Sequence, residues 1–363
     1  MPLLKVIFNE LLITVVWLVK RIWIHMKLWN LTLFAFCYYR KRLRLNYNPF
    51  FFWIEPTNHC NLKCLTCPQS MMHTSEKGYM EIGTYRRILE EIEFFSPMMI
   101  SLHLGGESLL HEDLPQMIRV AKEKNIEVTL ASNATLLTKE KSEDIIMAGL
   151  DGITVNFSAD KEDFEKNYKG AKWEKVCQNI KDFLQIKRKL RKAKPFFSIQ
   201  ILTTNNEIGT IRKNINDLER LFVHSPYDSI MAEPMHNWSG DFADKSVKDL
   251  NYKVNKDRNR YFPCSHLWSS MVVRWNGDVV PCCRDLQGGI VLGNVDKRSL
   301  ADIWNSQELV ELRRKHRDFK YHEVSICKNC SKLWEGQKPY HLLFSHISEL
   351  PLKIKGRSKN WKY

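Results

Sequence analysis

Acidic side chains are nearly absent from the first fifty residues, where Glu10 stands alone against Lys5, Lys20, Arg21, Lys27, Arg40, Lys41, Arg42 and Arg44. A long hydrophobic run is absent too. The two apolar stretches, Leu11 to Val19 and Leu28 to Tyr39, fall short of the roughly 18 uncharged residues that crossing a bilayer requires. No small-residue cleavage site follows the first stretch, so a secretory signal fits poorly. What the segment does contain is Trp17, Trp23 and Trp29 set among basic residues. That composition suits an interfacial anchor, and residues 1–49 are expected to form a basic, apolar helical arm on the cytoplasmic face of a membrane. The competing expectation packs the arm on the protein's own core or at a dimer interface. Nucleic acid is a poor partner, because the basic residues are interleaved with aliphatics rather than with polar or glycine-rich segments. Over all 363 residues the formal charge is +14, which predicts attraction to something acidic.

Ten cysteines in a chain without a secretory signal point to metal rather than disulfides, and seven of them fall into two spaced groups. The first is Cys60, Cys64 and Cys67, a C-x3-C-x2-C triplet just after the apolar run Phe50 to Ile54. A fourth cysteine is missing nearby. The set is therefore either a zinc site that borrows His59 or His73, for which the spacing is awkward, or a 4Fe–4S cluster with one open iron.

From Thr84 onward, apolar segments and helical periodicities alternate. Helices are expected over 84–95, 113–124, 138–148, 173–190 and 208–222, and strands over 98–104, 127–131, 152–157, 196–202 and 227–232. With the strand before the triplet, six strands alternate with helices, which argues for a parallel α/β sheet. Chemistry in such folds sits at the carboxyl ends of the strands, where the triplet lies. Lys187 to Lys194 reads as a solvated basic face.

The second group is Cys264, Cys282, Cys327 and Cys330, with Cys283 adjacent. Asn276-Gly277 between two β-rich runs signals a hairpin that brings Cys264 and Cys282 together. A helix around Leu300 to Lys315 and the Cys327-x2-Cys330 loop follow. Spacing alone permits a zinc ribbon. Cys37 and Cys177 read as bystanders, and either Cys282 or Cys283 can serve as the hairpin ligand, the hairpin phase favouring Cys282.

The triplet and its context, Glu55-Pro56-Thr57-Asn58-His59-Cys60-Asn61-Leu62-Lys63-Cys64, resemble the signature loop of the radical S-adenosylmethionine (radical SAM) superfamily. Thr66 departs from it, since the family has an aromatic or bulky residue before the last cysteine. Gly277 to Cys282, Leu292-Gly293-Asn294-Val295, Ser299 to Trp304 and Cys327 to Cys330 resemble a SPASM or twitch domain. The five cysteines there match the one-cluster arrangement of enzymes similar to 2-deoxy-scyllo-inosamine dehydrogenase.

The resemblance implies an α/β fold: a partial (β/α)6 barrel over 50–235, a linker over 236–260, a small β-hairpin plus helix iron–sulfur domain over 261–335, and a basic tail over 336–363. It also implies S-adenosylmethionine, a 4Fe–4S cluster on Cys60, Cys64 and Cys67, and an auxiliary 4Fe–4S cluster on Cys264, Cys282, Cys327 and Cys330. Gly105, Gly106 and Glu107 would hold the cofactor's amino group, and Asn133 its ribose. Ser158 is a further cofactor candidate, although Ala159-Asp160-Lys161 departs from the family's Ser-x-Asp-Gly. Glu233, His236 and Trp238 are candidates for substrate contact or proton transfer. The implied activity is an oxidoreductase or related radical enzyme acting on a small-molecule or carbohydrate substrate, with flavodoxin or ferredoxin as electron donor. A peptide-modifying maturase is the alternative, and a non-enzymatic zinc protein a third.

Overall fold

The computed structural model describes residues 27–65, 67–72, 76–203, 208–225, 227–234, 238 and 261–334. The first apolar stretch of the arm, Thr66, His73, His236, most of the linker and the basic tail lie outside the described residues.

Six strands run parallel: β1 (Phe51–Ile54), β2 (Met99–Ser101), β3 (Val128–Ser132), β4 (Gly152–Asn156), β5 (Phe196–Thr203) and β6 (Ser229–Pro234). They lie side by side in chain order. When every crossover moves the same way with the same right hand, the connecting helices fall on one face, and the twisted sheet curls toward a barrel. The helices obey this. α2 (Ile82–Glu93) touches α3 (Leu114–Glu123), α3 touches α4 (Lys139–Met147), and α4 touches α6 (Trp173–Lys189). α2 buries Tyr85, Ile88, Leu89 and Ile92, and α3 buries Leu114, Met117, Ile118 and Ala121, the i, i+3, i+4 faces expected of amphipathic helices. α7 (Ile208–Leu221) leads into β6.

A short helix, α5 (Lys161–Asn167), was not expected between β4 and α6. The Asp160 carboxylate accepts from the Asp163 N–H at 2.9 Å, an N-cap that starts the helix.

After α8 (His266–Ser269), the C-terminal hairpin joins the same sheet. β7 (Ser270–Val273) lies parallel to β1 in the register Phe51↔Ser270 to Ile54↔Val273, and β8 (Asp278–Val280) and β9 (Gly293–Asn294) follow antiparallel. The result is one nine-stranded sheet, with β1 between β2 and β7. Gly277 takes φ +83° in the hairpin turn, a conformation that suits glycine.

The helix expected over Leu300 to Lys315 is divided into α9 (Leu300–Trp304) and α10 (Gln307–Arg317). Asn305 breaks it by turning its side chain to the backbone of Leu45, accepting from the N–H and donating to the carbonyl at 2.9 Å each. Ser306 then caps the new helix.

The second apolar stretch of the arm, residues 27–39, forms helix α1. One face is docked: Phe34, Cys37 and Tyr38 are buried, and the Tyr38 hydroxyl donates to the Pro263 carbonyl at 2.6 Å. The chain that follows is clamped to the C-terminal region. Tyr47 donates to the Trp268 carbonyl at 2.6 Å, Trp304 Nε1 to the Tyr47 carbonyl at 2.7 Å, and the fully buried Arg313 to the carbonyls of Leu267 and Leu43. The packing expected as the competing reading thus holds for this face. Leu28, Trp29, Phe36 and Tyr39 are exposed on another face.

Candidate metal centres

The chain leaves β1 at its carboxyl end and enters the Cys60–Cys67 loop, so the triplet sits at the rim where this sheet presents its loops. Neighbouring backbone holds the loop in place. Lys63 N–H donates to the Lys169 carbonyl at 2.9 Å and Leu65 N–H to the Asn167 carbonyl at 3.1 Å, so the unexpected helix α5 and its exit brace the cysteines. Thr57 Oγ1 donates to the Gly78 carbonyl, Asn58 Nδ2 to Glu76, and Gln69 Nε2 to Asn58. His59 stacks on Tyr79 with ring centroids 4.8 Å apart.

Burial pushes all three thiols up. Cys64 reaches about 12, with the neighbouring Cys67 and Cys60 adding to burial, and Cys67 reaches about 11. Thiols this high stay protonated near neutral pH unless a cation displaces their protons. That donor set suits an iron–sulfur cluster, whose iron would offset the mutual repulsion of the thiolates. Among the described residues, no three His, Cys, Asp or Glu side chains form a group that could hold a lone metal ion. A zinc knuckle would gather its sulfurs about 2.3 Å from one point.

The Gly105–Glu107 turn lies against this loop. A Cβ on Gly106 would stand 2.2 Å from the Thr57 carbonyl oxygen and 2.5 Å from that of His59, so glycine here serves a close approach between two loops. Glu107 N–H donates to the His59 carbonyl at 2.8 Å. The Glu107 carboxylate is buried, accepting from Leu109 N–H and Ser132 Oγ on one oxygen and from Asn133 N–H on the other. Of its four acceptor positions, two thus tie this turn to the end of β3 and a third closes on Leu109 in the turn itself. Asn133 Nδ2 reaches Asn61 Oδ1 at 3.1 Å and Cys60 Sγ at 3.9 Å, which puts Asn133 beside the triplet.

Ser158 follows β4, the strand paired with β3. It is buried, and its hydroxyl donates to Asn214 on α7 at 3.4 Å. Glu233 is exposed at the end of β6, Trp238 is half-buried, and His236 is outside the described residues.

Sequence reasoning missed Glu55. It is fully buried, with one carboxylate oxygen accepting from Gly105 N–H at 3.0 Å and the other from Trp275 N–H at 3.2 Å. One side chain thereby joins the glycine turn to the C-terminal hairpin. A charged residue at the end of an otherwise apolar strand was the available signal. For α5 the signal was Asp160 followed by Glu162 and Asp163, acids that favour a helix start.

The second set is also brought together. Cys264, Cys282, Cys327 and Cys330 line one pocket with Arg284 and His316, and Cys283 is not among its lining residues. Burial, followed by the charge of Cys330, pushes Cys264 up to about 12. Cys282 and Cys327 are raised as well, burial first and then the other thiols. Four half-buried thiols lining one pocket again suit a cationic iron–sulfur core.

Comparison with known proteins finds two family domains in the chain. The radical SAM superfamily model matches residues 54–192, and the SPASM iron–sulfur cluster-binding domain model matches residues 264–331. The chain is a radical SAM protein with a SPASM domain. It is 24% identical over 324 residues to the tungsten-containing aldehyde ferredoxin oxidoreductase cofactor-modifying protein of Pyrococcus furiosus, covering 77% of this chain and 87% of that one. To the S-adenosyl-L-methionine-dependent 2-deoxy-scyllo-inosamine dehydrogenase of Niallia circulans it is 21% identical over 287 residues, covering 77% and 92%. The fold is that of BtrN in complex with AdoMet and 2-DOIA, with TM-score 0.53 and 19% identity over 79% of this chain and 94% of the other. It is also that of Streptococcus suis SuiB bound to S-adenosylmethionine, with TM-score 0.59 and 18% identity over 84% and 76%. For this radical SAM protein the two domains imply S-adenosylmethionine with a 4Fe–4S cluster, and auxiliary iron–sulfur.

Proposed function

We propose that this radical SAM protein is an oxidoreductase or related radical enzyme acting on a C–H bond of a sugar-type or envelope-associated small molecule. The carrying observation is the pair of half-buried thiol sets built onto neighbouring strands, one following β1 and one around the hairpin that begins with β7. When bound, the first cluster and S-adenosylmethionine supply a 5′-deoxyadenosyl radical, and the auxiliary cluster supplies an electron acceptor.

The chain's own residues position and shield. Cys60, Cys64 and Cys67 hold the first cluster, and Cys264, Cys282, Cys327 and Cys330 the second. The Gly105–Glu107 turn offers backbone, with one free acceptor position on Glu107, to the amino group of S-adenosylmethionine. Asn133 serves the ribose from its place beside Cys60. Ser158 is a further cofactor contact, and Glu233 and His236 are held as substrate contacts. Flavodoxin or ferredoxin is the proposed electron donor. Similarity to the Niallia circulans dehydrogenase over most of both chains supports a hydroxylated small molecule as substrate.

A peptide-modifying role is the second reading, supported by similarity to PqqA peptide cyclase. Against it, residues 27–50 form a helix and a clamped loop without a strand, unlike a leader-peptide-binding unit with strands. Mass spectrometry of 5′-deoxyadenosine after turnover with deuterated substrates separates the two. Label arriving from a cyclitol or sugar supports the first reading, and label arriving only from a peptide overturns it. Iron and sulfide analysis after anaerobic purification disposes of the zinc alternative if both elements are present in the amounts two clusters need.

The arm is proposed to touch an anionic membrane surface. On α1 the exposed Leu28, Trp29, Phe36 and Tyr39 lie at helical spacings that share one face, with Arg40 and Arg42 over the Phe36 ring at 5.9 and 5.3 Å. An apolar aromatic face beside cations is the chemistry of the membrane interface. No helix among the described residues is long and apolar enough to cross a membrane. Replacing Trp29 and Phe36 by Glu is expected to weaken flotation with anionic vesicles by at least about tenfold, given roughly 1.5–3 kcal/mol per buried side chain. Unchanged flotation would remove α1 from the contact.

A further inference from the structure

Two polar side chains in the auxiliary pocket are not ligands in the assignment above, yet both aim at ligand sulfurs. His316, on α10, is completely buried. Its Nδ1 accepts from the Cys264 backbone N–H at 3.4 Å, and its Nε2 lies 3.4 Å from Cys327 Sγ. A neutral imidazole carries one proton, and a nitrogen that accepts cannot hold it. The proton therefore sits on Nε2 and is donated to Cys327. On the other side, Arg284 Nη1 donates to Cys330 Sγ at 3.6 Å.

The ring is firmly placed. Its own carbonyl accepts from the Tyr261 hydroxyl at 2.7 Å, and Arg313, one turn earlier, locks α10 to Leu267 and Leu43. At the first cysteine set, the donors on Cys60 are the Leu62 N–H at 3.5 Å and the Asn133 amide at 3.9 Å, both uncharged.

Hydrogen bonds and positive charge at the sulfurs stabilise the more negative, reduced form of an iron–sulfur cluster and raise its potential. We propose that His316 and Arg284 set the reduction potential of the auxiliary cluster by donating to the thiolates of Cys327 and Cys330, holding it high enough to take up the electron left on the substrate. The inference rests on the reading of this pocket as an electron-accepting cluster, and the test below separates the two.

The full chain is reconstituted anaerobically, and the midpoint of each cluster is followed by EPR-monitored redox titration. In His316→Phe the auxiliary midpoint is expected to fall by about 59 mV, a tenfold shift in the one-electron equilibrium, while the cluster on Cys60, Cys64 and Cys67 keeps its own. His316→Gln, which retains an N–H donor, recovers most of that shift, and Arg284→Met shifts the same way as His316→Phe. A histidine that only fills space predicts equal behaviour for Phe and Gln, and that result overturns its tuning role. An auxiliary midpoint unchanged in both His316→Phe and Arg284→Met overturns the inference entirely. If His316→Phe assembles only one cluster, Arg284→Met decides, and an unchanged midpoint there overturns it. A wild-type chain with no second cluster signal defeats the cluster assignment itself, and the inference falls with it.

Discussion

Cys60→Ala is expected to abolish reductive cleavage of S-adenosylmethionine, with the iron content falling by one cluster while the other is retained. The triplet supplies only three thiols, so removing one leaves a cluster on two protein ligands, with two irons open to solvent and chelators. Nearby side chains are already engaged: Glu107 accepts from Leu109, Ser132 and Asn133, and the His59 ring is stacked on Tyr79. Cys264→Ala gives the complementary result: S-adenosylmethionine cleavage and hydrogen transfer persist, while oxidation of the substrate to product is lost. Chromatographic assay of 5′-deoxyadenosine and of the oxidised product under dithionite checks both. Wild-type cleavage by Cys60→Ala would sink the assignment of the first site.

Gly106→Ala is expected to weaken S-adenosylmethionine binding by at least about tenfold, about 1.4 kcal/mol, and to lower retention of the first cluster. The obstruction is backbone rather than a flexible side chain, since the new methyl would meet the carbonyl oxygens of Thr57 and His59 at 2.2 and 2.5 Å. The glycine turn and the cysteine loop must then separate, at an overpacking cost of roughly 1–3 kcal/mol. The separation opens the cleft between them. Gly105→Ala serves as the control: its methyl would meet Glu55 Oε1 at 3.0 Å and Leu286 at 3.6 Å, a contact that a small side-chain shift relieves. Equilibrium dialysis with labelled S-adenosylmethionine ranks the two variants. Equal affinities would show that the close loop approach is irrelevant to binding.

The features legible in the sequence are those written locally. Strand–helix alternation from β1 to β6 follows from hydrophobic period, and the cysteine groups follow from spacing. The hairpin followed from Asn276-Gly277. The features that escaped depend on distant partners. Asn305 fits a helix by local pattern, and only its pairing with Leu45, 260 positions away, breaks α9 from α10. Parallel pairing of β7 with β1 has no turn to announce it, so the hairpin read as a separate small unit. Glu55 looked like the edge of a motif because its partners, Gly105 and Trp275, belong to two other elements. α5 is short and buries Phe164 alone, too little apolar periodicity to register. At the site, the sequence suggested a ligand-facing Gly-Gly-Glu, and the structural contacts it could not announce are those of Gly106 with the cysteine loop and of Glu107 with Ser132 and Asn133.

The pairing of β1 with β7 also bears on how this chain reaches its native state. β1 is the first strand of the sheet to be synthesised, yet one of its two neighbours begins only at Ser270. During translation the Phe51–Ile54 segment, apolar on both faces, presents an open hydrogen-bonding edge while more than half of the chain is still being made. Such edges invite pairing with other chains. Long-range parallel closure is also slow, because loop entropy is spent before contacts repay it. The cysteine loop hangs from that same strand, so its thiols are exposed to oxidation during the same interval. Maturation of the first metal site is therefore tied to the arrival of the last third of the polypeptide.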